Sequence, residues 1–357
     1  MSWVLTILGF CALIVLHEFG HFAAAKLTGM RVERFLLFFP PAIFKVRRGE
    51  TEYGIGAIPL GGMVKITGMD PRVELPEDVK PRAYYRQPVW KRIVVISAGP
   101  AMNLLLAFLI LWGLFLANGS ATTTKTIDTK GLRAPAASVL RPGDRVVSVD
   151  GKGGSQEAIA LAVAQHRCAG PATNGCQATT PATVTVIRDG RRMTATITPR
   201  YDAAVGRTRL GFSYQVQHHD VGPVGAARES LSGMWRVTEA TVSAIARIFQ
   251  PEQRKQLSSV VGASKVTEQA FNQDISSALS LLALISLSLA IINLFPFLPL
   301  DGGHIFWAIV EKVRRRPVPL SVMERASVVG FMLVLGLFVI GFTNDIGRLT
   351  GQGFSPR

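Results

Sequence analysis

Residues 3–25 read W-V-L-T-I-L-G-F-C-A-L-I-V-L-H-E-F-G-H-F-A-A-A, an apolar stretch interrupted near its end by His17, Glu18 and His21. Ionisable side chains are costly at hydrocarbon depth, and there they usually mark a functional site. His21 follows His17 by four positions, so on a helix both imidazoles lie on one face and can share a metal ion. Glu18 lies beside them, turned by about 100° around the helix axis.

The pattern H-E-x-x-H on a helix is a signature of zinc peptidases, in which two imidazoles bind the metal and the carboxylate acts on water. Its specificity is moderate in a soluble helix and higher in a membrane span, because three polar groups need a partner to stay at that depth. The motif therefore predicts Zn²⁺ bound by His17 and His21, with Glu18 as the general base.

The composition is typical of a polytopic membrane protein that carries a soluble insert. The chain has 357 residues, of which 48% are hydrophobic, and its mean hydropathy is positive. Four segments are long and apolar enough to span a bilayer, namely 3–25, 93–117, 278–300 and 326–342. The first segment lacks the basic start and the small-residue cleavage site of a signal peptide, so we expect it to remain as a mature helix.

The net charge of +15 would also suit a nucleic-acid-binding protein. The basic residues, however, are spread over loops beside apolar spans, which favours contact with the lipid bilayer and predicts no nucleic-acid partner. The loops 26–92 and 312–316 are rich in Lys and Arg, so we expect both on the cytoplasmic side. Both termini and residues 118–277 are then expected on the outer side.

A catalytic zinc site needs a third protein ligand and one open position. Residues 293–304 read N-L-F-P-F-L-P-L-D-G-G-H, where prolines and glycines interrupt the third span beside Asp301. Asp301 is the expected third ligand, and the alternative is that it caps the helix that follows. We expect Asn293 to bind peptide backbone or an oxyanion. His304 is expected to have a structural role, because a fourth ligand would close the site.

Residues 32–66 contain short β-rich pieces that are broken by proline and glycine. Irregular apolar backbone can lie at membrane depth when it lines a cavity, which predicts a re-entrant β segment beside the metal helix. We expect the strand around 53–57 to offer a free edge to an extended substrate, bound by Gly54, Ile55 and Gly56. An ordinary cytoplasmic hairpin is the alternative.

Residues 118–205 predict a small extracytoplasmic α+β domain. The run L-R-P-G-D-R-V-V-S-V-D-G at 140–151 resembles a motif of PDZ domains, which bind peptide ends or strands between a strand and a helix. The recognisable order of elements is strand, helix and hairpin. Two cysteines lie in this domain, Cys168 and Cys176, and an oxidising compartment would allow them to form a disulfide.

Residues 206–277 contain two amphipathic stretches, 224–249 and 257–271, which we expect to lie on the outer membrane surface. The predicted organisation is therefore 1–117 with the first two spans, 118–205 with the PDZ-like domain, 206–277 with the juxtamembrane helices, and 278–357 with the last two spans.

The motifs H-E-F-G-H in the first span and N-x-x-P-x-x-x-L-D-G in the third resemble those of the site-2 protease family of intramembrane zinc metalloproteases, specifically its bacterial RseP-like branch. Residues 52–62 resemble the re-entrant β segment of that family, and residues 98–103 resemble its second span. The resemblance implies a polytopic α-helical membrane protein of four transmembrane helices with a re-entrant β segment. This chain has one recognisable extracytoplasmic PDZ-like domain, whereas some members of the family have two.

The resemblance also implies the substrates and the location. Members of the family cleave single-span membrane proteins in the bacterial inner membrane, such as anti-sigma factors already shortened outside by another protease in a stress response. Remnant signal peptides are a further substrate class. The active site is expected toward the cytoplasmic side.

Two other functions share parts of this pattern. One is a catalytically silent scaffold with a structural metal, although structural zinc normally has four protein ligands and no adjacent free carboxylate. The other is a metal transporter, which would need polar residues along the other spans.

Overall fold

The computed structural model of the protein describes residues 2–70, 72–129, 131–202, 207–247 and 274–350, together with the single residues 250 and 267. The described chain divides into two compact units. Residues 118–221 form one unit, and the helices and strands on either side of them in sequence form the other.

Four membrane-spanning helices were predicted from long apolar segments, and the structure has a helix at each of these segments. In chain order the helices are α1 (Ser2–Leu27), α2 (Val89–Asn118), α3 (Gln156–Ala164), α4 (Pro223–Ala246), α5 (Ile275–Asn293), α6 (Asp301–Arg314) and α7 (Leu320–Thr350). Among the described residues, α1, α2, α5 and α7 are long and apolar enough to cross a membrane. The expectation of four membrane-spanning helices is therefore confirmed by length and composition.

The third span ends earlier than expected, at Asn293 instead of residue 300. Pro296 and Pro299 follow directly, and proline can neither donate the helical hydrogen bond nor tolerate a helical residue before it. The next helix, α6, begins at Asp301, after an extended Leu300 that makes no side-chain cap. The capping alternative for Asp301 is therefore wrong, because Asp301 is the first residue of the helix itself.

The segment between α1 and α2 forms two long strands, β1 (Val32–Arg48) and β2 (Thr51–Ile66), instead of the several short pieces expected. Both strands bend, so that different parts of them pair on two sides. Leu36 pairs with Gly54 and with Met63. Gly54 in turn pairs with Leu36 and with Lys45. The order of the paired segments is therefore 62–66, 32–37, 52–56 and 42–48.

This pairing corrects the expected substrate edge at 53–57. Gly54 and Ile55 each have a backbone partner on both sides, so they lie in the interior of the sheet. Close packing explains the glycines, because a Cβ at Gly54 would lie 2.2 Å from the carbonyl oxygen of Phe44. A Cβ at Gly56 would lie 2.1 Å from that of Phe39. The segment 62–66 is at the edge instead.

The strands pack on the end of α1 through a buried apolar cluster. Hydrophobic burial of this kind holds the sheet against both α1 and α2. The cluster contains Ala25, Met30, Val32, Ile66, Tyr84, Val95 and Ile96.

Residues 118–221 form the second unit, which has a main sheet, a small two-stranded sheet and a helix. The strands are β3 (Ser120–Ile127), β4 (Arg145–Val149), β5 (Lys152–Gly153), β6 (Ala182–Arg188), β7 (Arg191–Ile197), β8 (Arg200–Asp202), β9 (Arg207–Arg209) and β10 (Tyr214–His219). The strand order of the main sheet is β10-β3-β4-β6-β7, where β5 also pairs with β4, and β8 and β9 form the small sheet. The helix α3 contributes Ile159, Ala162 and Val163 to the buried core of this unit.

The unit extends beyond the expected boundary at residue 205, because β10 returns to pair with β3. A disulfide joins Cys168 and Cys176, whose Cα atoms are 6.2 Å apart, within the range that a disulfide needs. The first predicted amphipathic stretch is the helix α4. The second, 257–271, lies almost entirely outside the described residues.

The PDZ-like motif places a buried carboxylate in this unit. The Asp144 side chain is only 1% exposed and forms an ion pair with Arg188 at 2.7 Å. It also accepts a hydrogen bond of 2.8 Å from the backbone N–H of Arg141. Burial alone would raise the pKa of Asp144, but the hydrogen bonds from Arg188 and Arg141 hold this pKa below its usual value.

We predict that this unit loses stability in acid. Because folding lowers the pKa of Asp144, its carboxylate stabilises the fold above the unfolded value of about 3.9 and stops doing so as the pH falls through the folded pKa. Hydrogen-exchange protection of the β4 and β6 amides in the full chain should fall over that range. Asp144→Asn should already show low protection at neutral pH, and wild-type protection in this variant would contradict the prediction.

Candidate metal centre

The helices α1 and α6 bring three predicted ligands together. The Nε2 atoms of His17 and His21 are 3.3 Å apart. The Oδ2 atom of Asp301 lies 3.3 Å from Nε2 of His17 and 3.4 Å from Nε2 of His21. The three atoms therefore form a nearly equilateral triangle, although Asp301 is far from the histidines in sequence.

The triangle fits a tetrahedral metal ion. Bonds of roughly 2.0–2.1 Å in a tetrahedral zinc site correspond to ligand separations of about 3.3–3.4 Å. The Oδ2 atom of Asp301 is buried and has no hydrogen-bond partner among the described residues, so a cation would satisfy it. Two imidazoles and one carboxylate are also a known donor set of catalytic zinc, in which the fourth position stays open.

Glu18 lies against the edge segment 62–66. A Cβ at Gly62 would lie 2.3 Å from Cγ of Glu18, so only glycine lets the strand approach this closely. The Glu18 carboxylate also lies near the backbone of Val64 in the same segment. Strand β2 therefore fixes the carboxylate beside the ligand triangle.

The helix α2 orients the two ligand imidazoles. Nδ1 of His21 donates to the carbonyl oxygen of Val95 at 2.9 Å, and the Asn103 side chain lies 3.2 Å from Nδ1 of His17. A Cβ at Gly99 would lie 2.2 Å from Nε2 of His21. The contact with Val95 places the proton of His21 on Nδ1 and leaves its Nε2 atom for the metal. The sequence did not reveal the backbone contact at Val95, whereas the spacing of Gly99 and Asn103 in an apolar span is a detectable signal.

The helix that carries Asp301 is held in place at both ends. At its start, a Cβ at Gly303 would lie 2.5 Å from the backbone nitrogen of Leu298, and a Cβ at Gly330 of α7 would lie 1.8 Å from the carbonyl oxygen of Leu298. Near its end, Glu311 forms an ion pair of 2.9 Å with Arg92 of α2, which is 9% exposed. The third ligand is therefore tied to α2 as well.

Comparison with known proteins agrees with this geometry. The family model "Peptidase family M50" matches residues 5–337. The chain belongs to peptidase family M50. The zinc metalloprotease Rip1 of Mycobacterium tuberculosis is 32% identical over 398 residues, covering 93% of this chain and 94% of the relative.

Other relatives of this M50 peptidase are also named as zinc metalloproteases. A relative in Nostoc, whose name contains the words zinc metalloprotease, is 30% identical over 366 residues, covering 99% of this chain and 98% of the relative. One in Clostridium perfringens, similarly named, is 29% identical, covering 97% and 98%. The M50 peptidase described here is a zinc metalloprotease.

The remaining candidate residues of this M50 peptidase lie on other elements of the structure. Asn293 is the last residue of α5 and is partly buried, ahead of the loop that leads to Asp301. His304 lies on α6 and is not one of the three convergent ligands of the described chain. Gly54 and Ile55 lie in the sheet interior, and Gly56 next to them pairs with Ala42.

The two close glycines allow metal binding and catalysis to be tested separately. Gly99→Ala should push the His21 imidazole out of place and weaken zinc binding by roughly 10- to 100-fold, as the loss of other ligand-orienting contacts does. Gly62→Ala should displace Glu18 and lower kcat while zinc affinity stays at the wild-type level. Chelator competition on the purified protein measures the first effect, and peptide cleavage measures the second.

Gly113→Ala on the same α2 helix is the matched control, since a Cβ there meets nothing within 4 Å. Zinc affinity of Gly99→Ala equal to that of Gly113→Ala would contradict the placement of His21 against α2.

Proposed function

We propose that this M50 peptidase hydrolyses peptide bonds within the transmembrane segments of single-span membrane proteins. The observation that carries the proposal is the position of the ligands. His17 and His21 lie on α1, which is long and apolar enough to span a bilayer. A zinc metalloprotease with its metal ligands on such a helix acts on bonds at membrane depth.

The proposed catalytic roles are supported by the geometry of the ligand triangle. His17, His21 and Asp301 hold the zinc, and bound zinc supplies Lewis-acid polarisation of the scissile carbonyl. Glu18 accepts a proton from the attacking water and then donates it to the leaving amide nitrogen. The contacts of Glu18 with Gly62 and Val64 keep its carboxylate in reach of both groups.

A helical substrate must be unwound before its carbonyl can react, because each helical carbonyl accepts a hydrogen bond from the N–H group four residues further along the chain. The edge segment 62–66 offers a means of holding the unwound chain. One side of it pairs with β1, for example Val64 with Phe35, and Glu18 lies against it. A substrate strand paired along this edge brings a carbonyl beside Glu18. Asn293 supplies a donor to the substrate backbone or the oxyanion.

The strands β1 and β2 are proposed to re-enter the membrane. Several large apolar side chains at their far end are exposed, namely Phe39, Ile43, Phe44, Val46, Ile55 and Ile58. A soluble hairpin would leave this patch in water, whereas a re-entrant segment places it against lipid or substrate. Ile55 contributes to substrate binding as part of this patch, and Gly54 and Gly56 contribute by letting the strands pack closely.

Residues 118–221 are proposed to be an extracytoplasmic PDZ-like domain in the bacterial inner membrane protein. The disulfide between Cys168 and Cys176 is typical of an oxidising compartment, and the basic loops predict the opposite side for residues 26–92. A groove of about 540 Å³ lies between α3 and residues 207–214. We propose that this groove selects substrates whose outer part has already been shortened, such as a cleaved anti-sigma factor.

The proposed function is tested with a single-span reporter that has a truncated outer part, expressed in cells that lack their own enzyme of this kind. Glu18→Gln should retain zinc but lose cleavage, because the amide cannot accept the proton. His21→Ala and Asp301→Ala should lose both. The size of the product on a gel gives cleavage, and zinc is measured on purified protein.

Cleavage of the reporter by Glu18→Gln at the wild-type rate would contradict the role of Glu18. A wild-type protein that binds zinc and cleaves no single-span reporter with a truncated outer part would contradict the proposed function.

A further inference from the structure

Three residues of α2 face the metal helix at intervals of four. Val95 accepts the hydrogen bond from His21, Gly99 leaves space for the His21 ring, and Asn103 contacts His17. Residues four apart lie on one face of a helix, so this face repeats with the same spacing as His17 and His21. Each ligand imidazole therefore has its own partner on α2.

The partner of His17 is a completely buried amide. Asn103 has 0% of its surface exposed. Its backbone carbonyl oxygen accepts a hydrogen bond of 2.9 Å from Oγ of Ser286 on α5, which fixes the residue between two helices. Its Nδ2 atom lies 3.2 Å from Nδ1 of His17, whereas its Oδ1 atom has no partner among the described residues.

The chemistry of a metal-binding imidazole determines which amide atom must face it. When Nε2 of His17 binds a metal, Nδ1 carries the proton and needs an acceptor. The amide group has the same shape after a 180° rotation, which exchanges Nδ2 and Oδ1. The rotated amide presents Oδ1 to the Nδ1–H group of His17.

We propose that Asn103 is a positioning residue of the metal centre, whose Oδ1 accepts the Nδ1–H hydrogen bond of His17. This bond fixes the ring with Nε2 toward Asp301 and His21, and it makes the imidazole a stronger ligand. The inference rests on the proposed metal centre. Val95 performs the same task for His21 with a backbone carbonyl, so α2 orients both ligands.

Zinc affinity of purified full-length protein, measured by chelator competition, tests the inference without relying on activity. Asn103→Leu keeps the approximate size and removes the acceptor, so it should weaken zinc binding roughly 10- to 100-fold. Asn103→Asp retains a carboxylate acceptor and should bind zinc at least as tightly as the wild type. Ser286→Ala is the matched control, because it removes a buried hydrogen bond to Asn103 but none to His17, and its zinc affinity should be unchanged.

Wild-type zinc affinity in Asn103→Leu, or the same loss in Asn103→Asp as in Asn103→Leu, would overturn the inference. If Asn103→Leu does not accumulate as folded protein, Asn103→Ala, which also removes the acceptor, takes its place beside Asn103→Asp. Weaker zinc binding in Asn103→Ala than in Asn103→Asp supports the inference, equal affinity in the two overturns it, and loss in Asn103→Asp alone also overturns it. His21→Ala separates the two proposals, since wild-type zinc affinity there would show that the metal centre itself is wrong.

Discussion

The structure depends on one constraint, the cost of placing two imidazoles and two carboxylates in or beside an apolar span. Such groups stay at that depth when they share a cation or pair with one another. The donor atoms of His17, His21 and Asp301 lie at nearly equal distances from one another, an arrangement that fits one shared cation. Glu18 lies beside this cluster, packed against Gly62 of β2.

The rest of the membrane unit can be understood as the support for this cluster. Without a hydrophobic force between spans, helices in lipid approach closely through small residues and hydrogen bonds. A Cβ at Gly20 would lie 2.3 Å from the carbonyl oxygen of Ala98, which shows how close α1 and α2 are at the ligands. Asp301 arrives on α6, and the buried Arg92 ties that helix to α2. The helix α2 therefore contacts both α1 and α6, the two helices that carry the three ligand side chains.

Much of this arrangement could be predicted from the sequence, because the signals were local or chemically unusual. The spans are long apolar runs, and the three ligands are among the few ionisable groups in or beside them. What the sequence could not show depends on contacts between distant segments. The pairing of Gly54 on both sides follows from a bend in the hairpin, and the return of β10 to β3 joins residues almost a hundred positions apart. The contact between His21 and the backbone carbonyl of Val95 could not be predicted either, because it does not depend on the side chain at that position.

The most direct test of the account is the position of the cut. Purified protein and a single-span substrate with a shortened outer part are placed in phospholipid vesicles, and the new chain ends are identified by mass spectrometry. We expect ends within the apolar span of the substrate, and none after zinc is removed by a chelator. Cuts confined to the water-exposed parts of the substrate would contradict it.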